Sequence, residues 1–368
     1  MKILFHCVYF PPEVGGLESH VYYLAKALAE SGHTVQVVTS RSLPGVPAQE
    51  EMDGIRVWRT WFPSRSPAGW VAHALASIPT TRTLAAASDI VHAQAFASVL
   101  PASVARRKPG FPLVATFHTS HFLTRARKAF WRPILRRLVQ TPDHCLAASR
   151  EIANVAMALA PGTTVEPLPN GVETEFFRPV KPLLPPVERI RIIVPRRLFP
   201  KNGVEYMIRA LPLIRKELDA EAVLIGDGPE RGRLEALARD LGVSQVVEFL
   251  GKRPHADMPG LLSSGDLAVI PSLMEATSVA ALEAMACELP VVASDVGGLP
   301  EIVGPEDGAL FEPDTPEALA TSVVELLEEG DLAKKGAAGR KRVVSAWSNR
   351  RLAQRHLEIY QRLLQRGD

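Results

Sequence analysis

Short apolar segments of strand length alternate with longer segments of helical composition along almost the whole chain, and this alternation restricts the fold most strongly. In the first half, strands are predicted at residues 2–8, 34–39, 55–60, 90–92, 113–117 and 144–148. In the second half, they are predicted at residues 190–194, 222–225, 246–250, 267–270, 291–293 and 309–311. Strands that alternate with helices form parallel sheets that helices cover. The sequence therefore predicts an α/β fold with two doubly wound, Rossmann-like halves.

A proline-rich segment separates the two halves. Residues 178–187 contain four prolines, and such a segment continues neither a helix nor a central strand. A chain of 368 residues is also longer than one typical hydrophobic core accommodates. We therefore predict an N-terminal domain at residues 1–180 and a C-terminal domain at residues 188–348. Two such domains that face each other across a cleft bind ligands at the carboxyl ends of their strands.

Composition and charge exclude several classes of protein. Hydrophobic residues make up 46% of the chain and the net charge is +2, which indicates a soluble globular protein without a nucleic-acid partner. No apolar stretch approaches the roughly 20 residues that span a bilayer, and the N-terminus lacks the pattern of a signal peptide. Cys7, Cys145 and Cys287 lie far apart in apolar segments, as buried thiols in a reducing compartment do. These features predict a cytoplasmic protein.

Two acidic residues eight positions apart, Glu275 and Glu283, carry the most specific functional signal. Glu275 follows the predicted strand at 266–270, and Glu283 lies in a predicted helix at 279–287. A short loop between a strand and a helix leaves free N–H groups at the positive end of the helix dipole, which suits a phosphate. The two carboxylates could then hold hydroxyl groups on either side of that phosphate.

Glycines and cations follow other predicted strands. Gly15 and Gly16 follow the first strand, where a glycine pair forms either a tight turn or a close approach to a ligand. Arg196 and Lys201 follow the first strand of the second half, where two cations are either solvated or able to neutralise a diphosphate. Arg197 is an alternative to Arg196 in that role.

Three further loops carry weaker signals. Gly226 and Gly228 form a Gly-x-Gly turn, which on its own is most often structural. Lys252 and Arg253 follow the next predicted strand. His118 ends a buried strand, where a single histidine is more often structural than catalytic. The sequence contains no Asp-x-Asp motif and no cluster of residues with the spacing of metal ligands, so we expect no metal site.

The segment from Pro271 to Ser294, PSLMEATSVAALEAMACELPVVAS, resembles the Glu-x7-Glu signature of the retaining GT-B glycosyltransferases, the glycosyl transferases group 1. The loops around Gly15 and Arg196 are similar to two other motifs of that family. The resemblance covers nearly the whole chain and implies the GT-B fold, in which a C-terminal helix at 349–368 packs back on the N-terminal domain.

The resemblance also implies a role for each motif. Glu275 would hold the hexose, Glu283 the ribose, and Arg196 and Lys201 the leaving diphosphate. The phosphate would bind to the amides of Thr277, Ser278 and Val279. The remaining donor contacts would be Gly15, Gly16, Gly226, Gly228, Lys252 and Arg253, with His118 near the primary hydroxyl of the sugar.

The chain departs from the family pattern in two places. Residues 276–280 read Ala-Thr-Ser-Val-Ala where the family usually has Gly-Phe-Gly-Leu-Pro, which puts the identity of the sugar in doubt. Asn202 is inserted after Lys201 in the family's Gly-Arg-Leu-x-x-x-Lys-Gly motif, which leaves open whether Arg196 or Arg197 contacts the diphosphate.

The expected function is metal-independent, retaining transfer of a hexose from a UDP- or GDP-sugar to an acceptor hydroxyl, with no cofactor beyond the donor substrate. The expected acceptor is a lipid or a lipid-linked glycan. Two alternatives remain: a non-catalytic subunit that binds a nucleotide sugar, and another GT-B enzyme such as a sugar-nucleotide epimerase.

A basic stretch indicates a membrane partner. No acidic residue lies between Asp89 and Asp143, whereas nine basic residues do: Arg106, Arg107, Lys108, Arg125, Arg127, Lys128, Arg132, Arg136 and Arg137. Within 122–139, we place Arg125, Lys128, Arg132 and Arg136 on one face of a predicted helix, opposite an apolar face. Such a helix suits an anionic membrane surface, although a helix packed on its sheet gives a similar pattern. Peripheral binding to the inner face of the plasma membrane is therefore one expectation.

Overall fold

The chain forms two compact α/β units. The computed structural model describes residues 1–13, 15–106, 110–118 and 120–365. The first unit comprises Met1–Gly171 and Asn349–Asp368, and the second comprises Val172–Ser348. The chain thus enters the second unit at Val172, earlier than the predicted boundary at 180. Arg107 and Lys108 of the basic stretch, and the last three residues of the predicted C-terminal helix, lie outside the described residues.

The first unit is built on a sheet of eight strands. These are β1 (Lys2–His6), β2 (Thr34–Ser40), β3 (Gln49–Met52), β4 (Ile55–Thr60), β5 (Ile90–Gln94), β6 (Leu113–Phe117), β7 (His144–Ala147) and β8 (Val165–Pro167). Their order is β3-β4-β2-β1-β5-β6-β7-β8, and all neighbours are parallel except β3 and β4. The helices of this unit are α1 (Gly16–Glu30), α2 (Pro67–Ala85), α3 (Phe96–Ala105), α4 (Ser120–Ala126), α5 (Arg132–Gln140), α6 (Arg150–Leu159) and α14 (Asn349–Gln365).

Helix α14 completes the first unit at the end of the chain. Its apolar side chains Leu352, Ile359 and Tyr360 are buried in the same core as Phe5 of β1, and the helix packs against α1. The Tyr360 hydroxyl lies 2.6 Å from Nδ1 of His92 on β5. A segment distant in sequence is thereby fixed to the central strands.

The second unit is built on a parallel sheet of six strands. These are β9 (Ile190–Val194), β10 (Ala220–Ile225), β11 (Val247–Gly251), β12 (Leu267–Ile270), β13 (Val291–Ser294) and β14 (Gly308–Phe311), in the order β11-β10-β9-β12-β13-β14. Its helices are α7 (Val204–Glu217), α8 (Arg231–Asp240), α9 (Met258–Leu262), α10 (Val279–Ala286), α11 (Leu299–Ile302), α12 (Pro316–Glu328) and α13 (Leu332–Trp347). Two parallel-sheet units confirm the predicted α/β class, and β9 and β12, whose exits carry Arg196 and Glu275, are neighbours in the sheet.

The proline-rich segment at 178–187, which was predicted to lie between the two domains, belongs to the second unit. The backbone N–H of Val180 donates to Ser263 Oγ at 3.2 Å, and those of Leu183 and Leu184 both donate to Ser264 Oγ at 3.0 Å. Because proline has no backbone N–H, only the non-proline residues of the segment have backbone N–H groups that need hydrogen-bond acceptors. Serine hydroxyls after α9 supply them, so the segment lies along the second unit.

The basic stretch at 122–139 is not one continuous helix, so the prediction of a single cationic face is wrong. Helix α4 ends at Ala126, a 3-10 turn spans Ala129–Trp131, and α5 starts at Arg132, with Pro133 in its first turn. The Arg125 guanidinium lies over the rings of Trp70, Phe96 and Trp131, 5.1–5.3 Å from their centroids. Arg125 is therefore held in an aromatic cluster. None of the helices within the described residues is both long and apolar enough to cross a bilayer.

Candidate functional site

The residues that the sequence predicted for the second unit lie at the carboxyl ends of its strands, and an ion pair joins two of them. Nη2 of Arg196, after β9, lies 2.6 Å from Oε2 of Glu275, after β12. The side chains are only 10% and 16% exposed, so water screens this pair less than it screens a surface salt bridge. Arg196, predicted to bind the diphosphate, and Glu275, predicted to bind the sugar, are thus in direct contact.

Two further polar side chains hold Arg196 in place. Its Nη2 donates to Ser272 Oγ at 2.6 Å and lies 3.0 Å from Asn202 Oδ1. The Asn202 amide in turn donates to the Arg197 carbonyl at 2.6 Å, and both Asn202 and Ser272 are buried. From the sequence, Asn202 was identified only as an insertion, and Ser272 was not identified as a site residue. Both are polar residues in the same loop as a predicted site residue, Asn202 with Lys201 and Ser272 with Glu275, which is the only signal that the sequence offers for them.

Lys201 joins the same group of charges. Its backbone carbonyl accepts from the N–H of Leu273 at 2.9 Å, which fixes the loop after β9 to the loop after β12. Partial desolvation lowers the pKa of Lys201, nearby Glu275 opposes that shift, and Arg197 and Arg196 add to it. The exposed Arg197 instead has its guanidinium over the Phe199 ring. The structure therefore brings Arg196 and Lys201 to Glu275, and Nε of Arg196, buried and without a hydrogen-bond partner, remains as a donor.

Helix α10 begins at Val279, four positions after Glu275. The Ser278 side chain caps it by accepting from the N–H of Ala281 at 3.3 Å. The other N–H groups of the first turn have no partner within the helix, and the helix dipole makes this end positive. Thr277 and Ser278 are buried, whereas Val279 is partly exposed. This is the geometry that the loop composition predicted.

Glu283 lies on α10 and differs from Glu275 in its surroundings. The carboxylate has no hydrogen bond or ion pair with any residue that the structure describes, and burial raises its pKa to about 8. A half-buried carboxylate without a protein partner is costly unless something else binds to it. It is therefore available to a ligand, whereas Glu275 is already paired with Arg196.

Two glycines allow the site loops to approach each other. Gly203, with a φ of +63°, lies so near the Pro271 carbonyl oxygen that a Cβ would come within 1.8 Å of it. Gly297, with a φ of +57°, lies equally close to the carbonyl oxygen of Glu275. Gly297 follows β13 in the sequence Gly-Gly, the same signal that identified Gly15 and Gly16, and the sequence analysis missed it.

We expect Gly297→Ala to destabilise the second unit by about 2–5 kcal/mol, because a new Cβ combines a left-handed backbone with overpacking against the Glu275 loop. The matched control is Gly242→Ala, since Gly242 also has a positive φ, +70°, but no atom would lie within 4 Å of its Cβ. That variant should lose only about 1–2 kcal/mol. Denaturant unfolding of both variants measures the difference, and equal losses would contradict the close approach.

The weaker predictions in the second unit have structural explanations. A Cβ on Gly226 would lie 2.3 Å from the Arg196 carbonyl oxygen, and one on Gly228 would lie 2.2 Å from that of Leu198. These glycines therefore support the loop that carries Arg196. Lys252 and Arg253, after β11, are exposed and have no ion pair among the described residues. Their predicted contact with the donor stays a prediction.

In the first unit, His118 is buried after β6. Its Nδ1 lies 3.0 Å from the Asn170 side chain and its Nε2 faces the Gln94 amide. Desolvation lowers the pKa of His118 to about 3, so the ring is neutral. Because both nitrogens have side-chain partners, His118 is held rigidly. The His20 ring of α1 lies 5.0 Å from the His118 ring between centroids, which brings His118 close to the helix that starts at Gly16, directly after Gly15.

Two family models match the chain. Residues 178–342 match the model described as glycosyl transferases group 1, and residues 14–176 match the model described as glycosyltransferase family 4. Together they include every site residue described above, and the boundary between them lies close to the boundary between the two units.

Relatives with named activities match over nearly the whole chain. The chain is 29% identical to the MMP alpha-(1->4)-mannosyltransferase of Mycolicibacterium hassiacum, over 96% of each chain. It is 28% identical to a GDP-mannose-dependent monoacylated alpha-(1-6)-phosphatidylinositol monomannoside mannosyltransferase of Corynebacterium glutamicum, also over 96% of each chain.

Solved structures show the same fold. Sucrose-phosphate synthase of Thermosynechococcus elongatus superposes with a TM-score of 0.86, at 23% identity, over 98% of both chains. HepE of Anabaena, solved in complex with UDP-glucose, superposes with a TM-score of 0.76, at 20% identity, over 98% of this chain and 99% of that one. This similarity confirms the predicted GT-B fold.

Proposed function

The chain belongs to the glycosyl transferases group 1 and is a glycosyltransferase, and from this premise we propose that it moves a hexose from a nucleotide diphosphate to a glycolipid acceptor, with retention and without a metal ion. The observation that supports this most strongly is the buried pair of Arg196 and Glu275 beside the N-terminus of α10. It places fixed positive charge and a hydroxyl-binding carboxylate within one site.

The positive charge suits the leaving group. When the bond between C1 of the hexose and the diphosphate breaks, negative charge grows on the diphosphate oxygens. Arg196, Lys201 and the free amides at the start of α10 can stabilise that charge, because they are already oriented before the reaction. A site that supplies cations and a helix dipole in this way has its own means of neutralising a diphosphate, which supports the metal-independent proposal.

The two carboxylates would bind different parts of the donor. Glu275, oriented by Arg196, would accept hydrogen bonds from the hexose hydroxyls, and Glu283, without a protein partner, would accept them from the ribose. The acceptor oxygen would then bond to C1 on the face that the diphosphate leaves, and its proton would pass to an oxygen of the departing diphosphate. This route needs no side-chain base, which agrees with a neutral, fully bonded His118.

The relatives support the proposed donor and acceptor. One relative is GDP-mannose-dependent and is named for a phosphatidylinositol mannoside, and a neighbour in structure binds UDP-glucose. We therefore propose a GDP- or UDP-hexose as the donor and a lipid-linked acceptor. The altered residues 276–280 line the proposed sugar position, so the hexose itself is to be identified by screening.

Proton NMR of the product tests the proposed function. The protein is incubated with GDP- and UDP-hexoses and a lipid-linked acceptor, with and without a chelator. We expect an axial glycosidic bond from an axial donor, at a rate that the chelator leaves unchanged. An inverted product contradicts the retaining mechanism, and loss of activity that added Mg²⁺ restores contradicts the metal-free one.

The affinity for free nucleotide should rise from pH 7 through about pH 8 and should level off roughly one pH unit above that value. Burial raises the pKa of Glu283 to about 8, so the group is largely protonated at pH 7, whereas ribose hydroxyls donate best to the carboxylate. Glu283→Gln should bind UDP or GDP roughly 10–100-fold more weakly and without this pH dependence. Titration calorimetry measures both effects, and an unchanged pH profile in the variant would exclude Glu283 as the titrating group.

A further inference from the structure

The exposed apolar side chains of the first unit are concentrated in one part of it. Seven large hydrophobic residues are exposed among its described residues, and all seven lie between positions 61 and 134. They are Trp61, Val71, Leu75, Leu100, Val104, Phe130 and Ile134, with exposures from 39% for Ile134 to 74% for Phe130. Scattered exposed hydrophobics need no explanation, but a concentrated group indicates an interaction surface.

Six of the seven lie on neighbouring helical elements. Val71 and Leu75 are one turn apart on α2, and Leu100 and Val104 are one turn apart on α3. Phe130 lies in the 3-10 turn that precedes α5, and Ile134 lies in the first turn of α5. Helix α2 packs against α3, and α3 packs against α5. Each of these helices buries its other side, so the pairs form one outward surface, which we call the α2–α3–α5 face.

Charge on the same part of the chain has one sign. Residues 54–142 contain thirteen Lys and Arg residues and a single acid, Asp89. That acid is bound to the backbone N–H of Lys2 at 2.7 Å. Five exposed cations surround Phe130 and Ile134 without an ion pair among the described residues: Arg127, Lys128, Arg132, Arg136 and Arg137. Unpaired cations around exposed apolar groups suit a partner that is both anionic and apolar.

We propose that the α2–α3–α5 face is a docking surface for an anionic lipid bilayer, in which the apolar pairs enter the headgroup region and the cations meet lipid phosphates. A bilayer interface offers both chemistries together over a broad area. The proposal extends the membrane contact beyond residues 122–139 to α2 and α3, and it excludes Arg125, whose guanidinium is covered by three aromatic rings. It uses no residue assigned to donor binding, so it stands or fails separately from the proposed function.

Sedimentation with vesicles tests the cationic part. The wild type should bind vesicles of equal amounts of phosphatidylglycerol and phosphatidylcholine, and should bind pure phosphatidylcholine much more weakly. A variant with Lys128→Gln, Arg132→Gln and Arg136→Gln should partition roughly 100-fold less, because each cation near an anionic surface contributes about a five-fold factor. The matched control changes Lys216, Arg239 and Lys341 to Gln, three exposed cations of the second unit without an ion pair among the described residues.

A second variant tests the apolar part. Leu100→Ser together with Phe130→Ser should lower binding to the same vesicles and should make the remaining binding more sensitive to salt, since only electrostatic attraction is left. Circular dichroism and thermal unfolding show that each variant is folded. The proposal is overturned if the wild type does not bind anionic vesicles. It is also overturned if the charge variant binds them as strongly as the control variant does. An apolar variant that binds like the wild type contradicts insertion of these side chains.

Discussion

Glu275→Gln is expected to slow sugar transfer by roughly 10²–10³, the range for removing one oriented group that stabilises a developing charge. The substitution preserves the size of the side chain but removes the charge that pairs with Arg196 at 2.6 Å. It therefore weakens the hydrogen bonding of the hexose and removes the partner that orients Arg196, which matters in the transition state, when negative charge grows on the diphosphate. Initial rates of transfer at saturating donor measure the effect.

Two comparisons make this result specific. Glu306→Gln, an exposed acid of the same unit, should leave the rate unchanged. Because Arg196 and Glu275 act as a pair, the double variant Arg196→Gln, Glu275→Gln should be little slower than either single variant. Additive losses in the double variant, or a Glu275→Gln rate above about a tenth of the wild-type rate, would contradict the coupled roles.

Acid is expected to unfold the first unit near pH 5. Six of its histidines are buried, and desolvation is the largest cause that lowers the pKa of each: His6, His20, His73, His92, His118 and His356. The pKa is about 3 for His6 and His118 and about 4 for His73 and His356. Nine of the ten histidines of the chain lie in this unit.

The direction of the effect follows from proton binding. An unfolded histidine binds a proton below a pKa of about 6.5, whereas the folded rings of His6, His73, His118 and His356 are still largely neutral at about pH 5. Stability is therefore fully present above pH 6.5 and is lost as the pH falls below it. Four such groups together remove about 5 kcal/mol between pH 6 and pH 5, which is comparable to the total stability of many domains.

Calorimetric unfolding between pH 7.5 and pH 5 tests this expectation. The transition of the first unit should move to lower temperature by far more than that of the second unit, which contains only His255 and serves as an internal control. His73→Asn should reduce the number of protons that the first unit takes up on unfolding by about one, which lowers the slope of its unfolding free energy with pH. Equal shifts in both transitions would contradict the assignment to buried histidines.

Most of the fold could be predicted because apolar strand segments are a local property of the sequence. Strand β3 was missed because it is polar, with burial on alternate residues only. Its hairpin with β4 turns at Asp53 and Gly54, which have φ values of +49° and +75°, and an Asp-Gly pair is a strong hairpin signal. The break between α4 and α5 was missed although Pro133, in the first turn of α5, is typical of the start of a new helix.

The candidate site was predicted less completely than the fold. Glu275, Arg196 and Lys201 follow strands, so their common edge could be deduced from topology. The direct pairing of Arg196 with Glu275, and the support from Asn202 and Ser272, depend on which strands are neighbours and how closely their loops pack. Arg196 contacts Ser272 and Glu275 across 76 and 79 positions, so no local pattern in the sequence encodes these contacts. Asn202 lies only six positions from Arg196, but its contact depends on how the loop after β9 folds.

Titrations of three proteins with two ligands test the central account most directly. Wild type, Glu275→Gln and Glu283→Gln are each titrated with a free nucleoside diphosphate and with the matching nucleotide sugar, using uridine and guanosine compounds in turn. We predict that Glu283→Gln weakens the binding of both ligands. Glu275→Gln should bind the free nucleotide as the wild type does and should lose only the additional affinity that the sugar contributes. The reverse pattern, or a wild type that binds none of these compounds, would contradict the assignment of the two carboxylates.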